Sequence, residues 1–263
     1  MLMANPAGEV SASPLPTRDP VAQRILAVLE ACAAIKRPLT MMQLVDATGL
    51  AKTTVHRMCW KLVELGLLER SPEGFSVGTK LFALANANPI IREVRAAAMP
   101  YLLELQRVSG ASDLAILTGG RALIIDGLFT QELRSTPLIG VAVPLHCTAV
   151  GKAIAAIQDR QQREMLLGPG VLPAITRRTI VHPVLIRRHL DGVAADGVAV
   201  SHEEFHLGTA GVAAAFKVRT GVTAAIGCVG AWNSSALKHS SNRVAAAAAS
   251  LQRDLAASTQ SAC

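Results

Sequence analysis

From Leu39 to Arg70 the chain reads LTMMQLVDATGLAKTTVHRMCWKLVELGLLER. Apolar residues in this stretch recur first at helical spacing and then as a short strand, and glycines fall at the changes of direction. Thr40 is placed to cap a short helix that buries Leu44 and Val45. Gly49 supplies the positive-φ corner after it. The next helix is expected from Lys52 to Leu65, with Val55, Met58, Cys59, Leu62 and Leu65 on its apolar face and Gly66 as its stop. Leu67-Leu68-Glu69 and Phe75-Ser76-Val77 flank the turn sequence SPEG and read as a two-stranded wing. Ahead of all this, Val21, Ile25, Val28, Leu29 and Cys32 mark one face of a helix over residues 20–33. Three helices and a wing in this order form a winged helix-turn-helix, which places one helix in the major groove of double-stranded DNA.

Bulk charge does not carry that reading. The 263-residue chain has 26 Lys and Arg against 19 Asp and Glu, a net +7. Only nine of those bases, against seven acids, lie in residues 1–89. Placement is what counts. The predicted exposed face of the second helix of the motif carries Lys52, Thr53, Thr54, His56, Arg57 and Lys61, with no acid between Ala51 and Lys61. Its N-terminal amides add partial positive charge. Arg57 has the fork that pairs with a guanine edge, while Thr53 and Thr54 suit phosphates or a thymine methyl. Lys61 suits the backbone, and Thr40 is a further contact at the start of the preceding helix. The competing reading is a helical bundle for protein contacts with a solvated basic face.

Other features bound the function class. Five cysteines without a C-x-x-C pair suit a reducing, cytoplasmic setting with buried thiols. No uncharged apolar run reaches the length of a membrane span, so no membrane association is expected. The opening MLMANPAGEVSASPLP lacks a basic region followed by an apolar run and is expected to be a disordered tail rather than a signal peptide. The chain is long enough for two ordinary domains. The expected division is a tail at 1–19, the winged helix at 20–78, a linker helix at 79–90, a second domain at 91–258 and a tail at 259–263.

In that second domain, a long helix at 90–108 contains Pro100, a candidate kink or restart. Strand-like runs at 112–118 and 121–129 meet at Gly119-Gly120, a hairpin signal. Helices are expected at about 148–157, 159–167 and 182–195, strands at 198–201, 211–218 and 222–229, and an Ala-rich helix at 240–257. The overall fold class is therefore α+β, with a mixed α/β second domain.

These segments resemble the isocitrate lyase regulator (IclR) family of bacterial transcription factors. The likeness runs through Val21-Ala22-Gln23-Arg24-Ile25-Leu26, Leu39-Thr40, Gly49 to Arg57 and Leu65-Gly66-Leu67. It resumes at Pro144 to Ala153, Thr176-Arg177-Arg178-Thr179-Ile180 and Gly197 to Glu204. The resemblance implies a linker helix and a GAF-like effector domain after the winged helix. It implies a homodimer or a dimer of dimers on a palindromic operator, and a small metabolite as effector, acting as repressor or activator. No cofactor or catalytic activity is implied.

By the same resemblance the effector pocket is lined by Ala149, Val150, Ser201, Gly211, Gly227 and Val229. A helix starting near Thr148 would aim backbone N–H groups at a carboxylate. Gly227 and Val229 share one strand face. Relatives that bind small keto acids often carry Asp at the position of Ser201, Cys at Gly211 and Ser at Gly227 and Val229. Their loss here predicts a roomier, more apolar cavity for a bulky or aromatic organic acid. The alternatives are a ligand-free oligomerisation module with a relic DNA-binding domain, or a metal-dependent hydrolase. The hydrolase reading rests on His202, Glu203 and His206, which match H-E-x-x-H but sit after a strand-like run and before Gly208. His146-Cys147 lacks an orienting third group for nucleophilic catalysis. Trp60 is expected to pack on the wing, and Arg177-Arg178 and Arg187-Arg188 to be solvated.

Overall fold

The computed structural model describes residues 20–35, 37–129, 139–219, 221–234, 237 and 239–261. The tail expected at 1–19 lies outside them. The chain divides into two compact units, 1–89 and 90–263. The expected linker helix groups with the first unit.

That unit consists of α1 (Pro20–Ala34), α2 (Met41–Thr48), α3 (Lys52–Glu64), β1 (Leu68–Ser71), β2 (Gly74–Val77) and α4 (Thr79–Asn86). Thr40 forms a reciprocal capping box with Gln43 at the start of α2. Gly49 closes the helix at φ 64°, its amide bonded to the Val45 carbonyl. Val28, Cys32, Leu44, Val55, Met58, Cys59, Leu62, Leu68 and Phe75 pack into one core. Leu65 departs from expectation: it is the C-cap of α3 and is exposed, because the helix ends at Glu64 before bringing it round to the core. β1 and β2 pair antiparallel around Pro72-Glu73, and Leu39 exchanges two 2.8 Å backbone bonds with Phe75. The wing is thereby tied to the segment that starts α2. α4 buries none of its residues and exposes Phe82 and Leu84.

The second unit holds α5 (Pro89–Ser109), β3 (Ala111–Thr118), β4 (Arg121–Phe129), β5 (Ala142–Val143), α6 (Ala149–Ala156), α7 (Arg160–Leu167), α8 (Pro183–Asp196), β6 (Ala199–His202), β7 (Thr209–Arg219), β8 (Val222–Ala231) and α9 (Ser241–Ser261). Six strands form one antiparallel sheet in the order β5-β4-β3-β8-β7-β6. Pro100 does not end α5, which runs through it. The expected tail at 259–263 is corrected in part, since α9 continues to Ser261: nothing after its Ala-rich stretch breaks the helix before that point.

Strand alternation decides what covers each face. On β7, Val212, Ala214 and Phe216 point into a core with Leu102 and Leu105 of α5 and Leu251 of α9. On the opposite face Ala213 joins Ala115, Ala225 and Ala199 beneath α6. These small side chains let α6 lie close to the sheet, and all eight of its residues are buried. Gly151 is required here, since a Cβ would lie 2.6 Å from the Leu145 Cα and 2.7 Å from the Pro144 carbonyl oxygen.

Candidate nucleic-acid interface and effector site

The basic face predicted on α3 is present. Lys52, Thr53, His56, Arg57 and Lys61 are exposed, Thr54 is half-buried, and Thr40 is exposed at the head of α2. Among the described residues Lys52, Arg57 and Lys61 form no ion pair, so their charge is free to meet an external anion. Thr40 already accepts a hydrogen bond from the Gln43 amide and would approach DNA as a capped helix start.

Sequence reasoning missed Arg70 as a member of this surface. It stands on β1 with its guanidinium 4.6 Å from the centre of the Trp60 ring. Trp60 packs edge-on against Phe75 of the wing and donates from Nε1 to His56 Nε2 at 3.0 Å. A neutral His56 therefore carries its proton on Nδ1 and presents a donor outward. Arg70, Trp60 and His56 form one strap from the wing to α3, along a groove of about 310 Å3 that Thr40 and Glu73 also line. A basic residue next to the wing turn was the available sequence signal.

In the second unit the expected effector residues gather on the α6 face. Ser201, Gly211 and Val229 stand side by side across β6, β7 and β8. Gly227 lies in the next row, between Ala213 and Asp113. Thr148 caps α6 and accepts from the Gly151 amide at 3.2 Å. The amides of Ala149 and Val150 precede the first intrahelical donor, the Lys152 amide on the Thr148 carbonyl, and remain available to a ligand.

Two details differ from expectation. The Ser201 hydroxyl is spent on the Cys147 carbonyl, to which it donates at 3.0 Å. The two glycines leave no room for a side chain of their own. A Cβ on Gly211 would lie 3.1 Å from that of Ala149, because the helix settles into the gap. A Cβ on Gly227 would lie 2.9 Å from Asp113 Oδ1. Asp113, unremarked in the sequence, is a buried acid on β3, between buried Ser112 and the apolar run Leu114 to Leu117. Desolvation lifts its carboxyl to about 7, and its Oδ1 has no hydrogen-bond partner among the described residues.

Beside the helix start, the fully buried Lys152 donates to Glu204 at 2.5 Å and to the Val200 carbonyl at 3.2 Å. Burial pulls its ammonium below the usual range, against the opposing pull of Glu204. Thr176 and Thr179 donate to the carbonyls of Glu203 and Glu204, each at 2.7 Å. The Thr-Arg-Arg-Thr segment is thus a clamp on the loop after β6. Arg187 is not simply solvated: it grips Glu164 of α7 with two nitrogens. His146 sits 2.9 Å from the Pro173 carbonyl, and burial lowers its pKa. The H-E-x-x-H segment is not helical. His202 ends β6 and Glu203 has φ 55°, so the two histidines do not share a helix face as the zinc motif requires.

A complete winged helix with an unpaired basic face on α3, joined to a mixed α/β domain with an offered helix start, defines a DNA-binding regulator with an appended sensor domain. Comparison with known proteins assigns the family. Residues 21–72 match the IclR helix-turn-helix domain, and residues 91–256 match the C-terminal domain of the bacterial transcriptional regulator IclR. The chain belongs to the IclR family of DNA-binding transcriptional regulators. It is 32% identical over 212 residues to the glycerol operon regulatory protein of Streptomyces griseus, covering 79% of this chain and 82% of that one. It is 28% identical over 191 residues to the transcriptional repressor IclR of Escherichia coli, covering 70% of each. In fold it resembles an IclR homolog from Microbacterium hydrocarbonoxydans complexed with 4-hydroxybenzoate. The TM-score is 0.79 at 24% identity, over 90% of this chain and 99% of that one.

Proposed function

We propose that this regulator binds a palindromic operator as a homodimer and changes its operator affinity when an organic acid occupies the second domain. The observation that carries the reading is the α3 face, where Lys52, Arg57 and Lys61 are exposed and unpaired beside a wing that adds Arg70. Arg57 reads a base edge; Lys52, Lys61 and Arg70 hold phosphates, and Thr40, Thr53, Thr54 and His56 complete the contact. Two such helices in a dimer meet half-sites about one helical turn, or a multiple, apart. The assembly works in the cytoplasm, and no chemical step is assigned to it.

The effector reading rests on the free amides of Ala149 and Val150, which suit a carboxylate. Ser201, Gly211, Gly227 and Val229 form the floor beneath them. The neighbour solved with 4-hydroxybenzoate supports an aromatic acid as the ligand class. Regulation requires that the acid bind one arrangement of the dimer better than the other, since equal affinity shifts nothing.

The test is a titration of the DNA upstream of the chain's own gene at two salt concentrations. Binding is expected to weaken steeply with salt, because each phosphate contact releases counterions. Arg57→Ala is expected to lower the preference for operator over random DNA by about 1–3 kcal/mol while the fold persists. Salt-independent binding, or unchanged preference in that variant, sinks the assignment.

A further inference from the structure

We propose that Asp113 sets the effector specificity of this chain, its carboxyl accepting a hydrogen bond from a hydroxyl at the end of the ligand remote from its carboxylate. The proposal rests on the effector reading above and adds the second anchor. Asp113 stands on β3 with Gly127 opposite it on β4 and Gly227 opposite it on β8. Two glycines therefore flank one acid in a single row across three strands. Oδ1 leans over Gly227, toward β8 and β7 and the expected pocket, at a spot where any β8 side chain would collide with it.

Asp113 is only 6% exposed, and among the described residues no basic side chain offsets its burial. A buried acceptor left unpaired costs about 1–3 kcal/mol, which a bound donor recovers. The surroundings select the donor. Ala213 and Gly227 are apolar neighbours in the row, and Phe129 places its ring over Gly127. A hydroxyl is far cheaper to desolvate there than an ammonium. Orientation follows from charge, since a ligand carboxylate avoids Asp113 and takes the amides of Ala149 and Val150. Ala149 packs on Gly211, one strand over and one row along from Gly227. Strand spacing and rise put those two glycines about 8 Å apart. A ligand with a carboxylate at one end and a hydroxyl at the other carries a partner for each of the two groups.

Calorimetry on the full chain with 4-hydroxybenzoate and with benzoate isolates the hydroxyl. Wild type is expected to prefer the hydroxy acid by about tenfold or more, and Asp113→Ala to bring the two affinities within about twofold of each other. Asp113→Asn keeps the shape and one acceptor oxygen, and is expected to retain part of the preference. A full preference surviving in Asp113→Ala overturns the role of Asp113, as does a wild type that binds both acids equally. Failure of wild type to bind either acid overturns the underlying effector reading for this class of ligand, and the proposal with it.

Discussion

A buried acid without a partner leaves a thermodynamic trace whether or not it meets a ligand. Desolvation lifts the Asp113 carboxyl from 3.8 to about 7 in the folded chain. Between those values the folded state holds a proton that the unfolded state has released. Stability therefore falls as pH rises through that window, the reverse of the usual salt-bridged aspartate. Asp113→Asn removes the titration and keeps the shape. Its melting temperature is expected to gain on wild type by several degrees between about pH 4 and pH 8, since about 1 kcal/mol moves the midpoint of a domain this size by roughly 2–4 °C. Differential scanning fluorimetry across that range checks it, and a constant gap refutes the raised carboxyl. Lys152 makes a contrasting case, because its buried charge is met by Glu204 and by a backbone carbonyl.

Individual elements show how local rules become a surface. The capping box at Thr40 and the left-handed Gly49 set the length of α2 and the corner before α3. The pairing of Leu39 with Phe75 holds the wing to that same corner. Trp60 then fastens α3 to the wing by stacking on Arg70 and packing edge-on against Phe75, while its bond to His56 stays within the helix. An exposed cation–π contact is worth about 0.5–1 kcal/mol, so the stack restrains Arg70 more than it stabilises the fold. Trp60→Ala is expected to weaken operator binding by about two- to five-fold, while Trp60→Phe, which keeps an aromatic face, retains most of the affinity. Fluorescence anisotropy with labelled operator measures both. Equal loss in the two variants would show that the ring face is not what positions Arg70.

Across the whole molecule the proposed dimer needs an apolar surface for its partner. Within the first unit, α4 offers apolar side chains: Phe82 is 72% exposed, Leu84 is exposed on another side of the helix, and the helix buries none of its own residues. Its anchoring is polar, through Glu69 on the Thr79 amide and Lys80 on the Leu65 carbonyl. Phe82→Glu is expected to shift the chain toward monomer in sedimentation velocity and to lower operator affinity at fixed concentration. A variant that sediments as wild type would move the dimer contact elsewhere.

The winged helix was legible in the sequence almost residue for residue, because caps, corner glycines and helical repeats act over a few neighbouring positions. The basic face of α3 was legible for the same reason: one helical turn decides which side chains share it. The Gly119-Gly120 hairpin was as plain, with φ 54° and 74° where the dipeptide required positive values. What escaped depends on residues distant in the chain. β5 has only two residues and exists through its pairing with β4. Arg70 comes to lie beside the basic face of α3 because the wing folds back over Trp60. The missing side chains at Gly211 and Gly227 suggested empty space, but α6 closes on the first and Asp113 fills the second. Composition can reveal what a strand lacks; only the packing of α6 and the register of β3 on β8, more than a hundred residues apart in the chain, decide what takes its place.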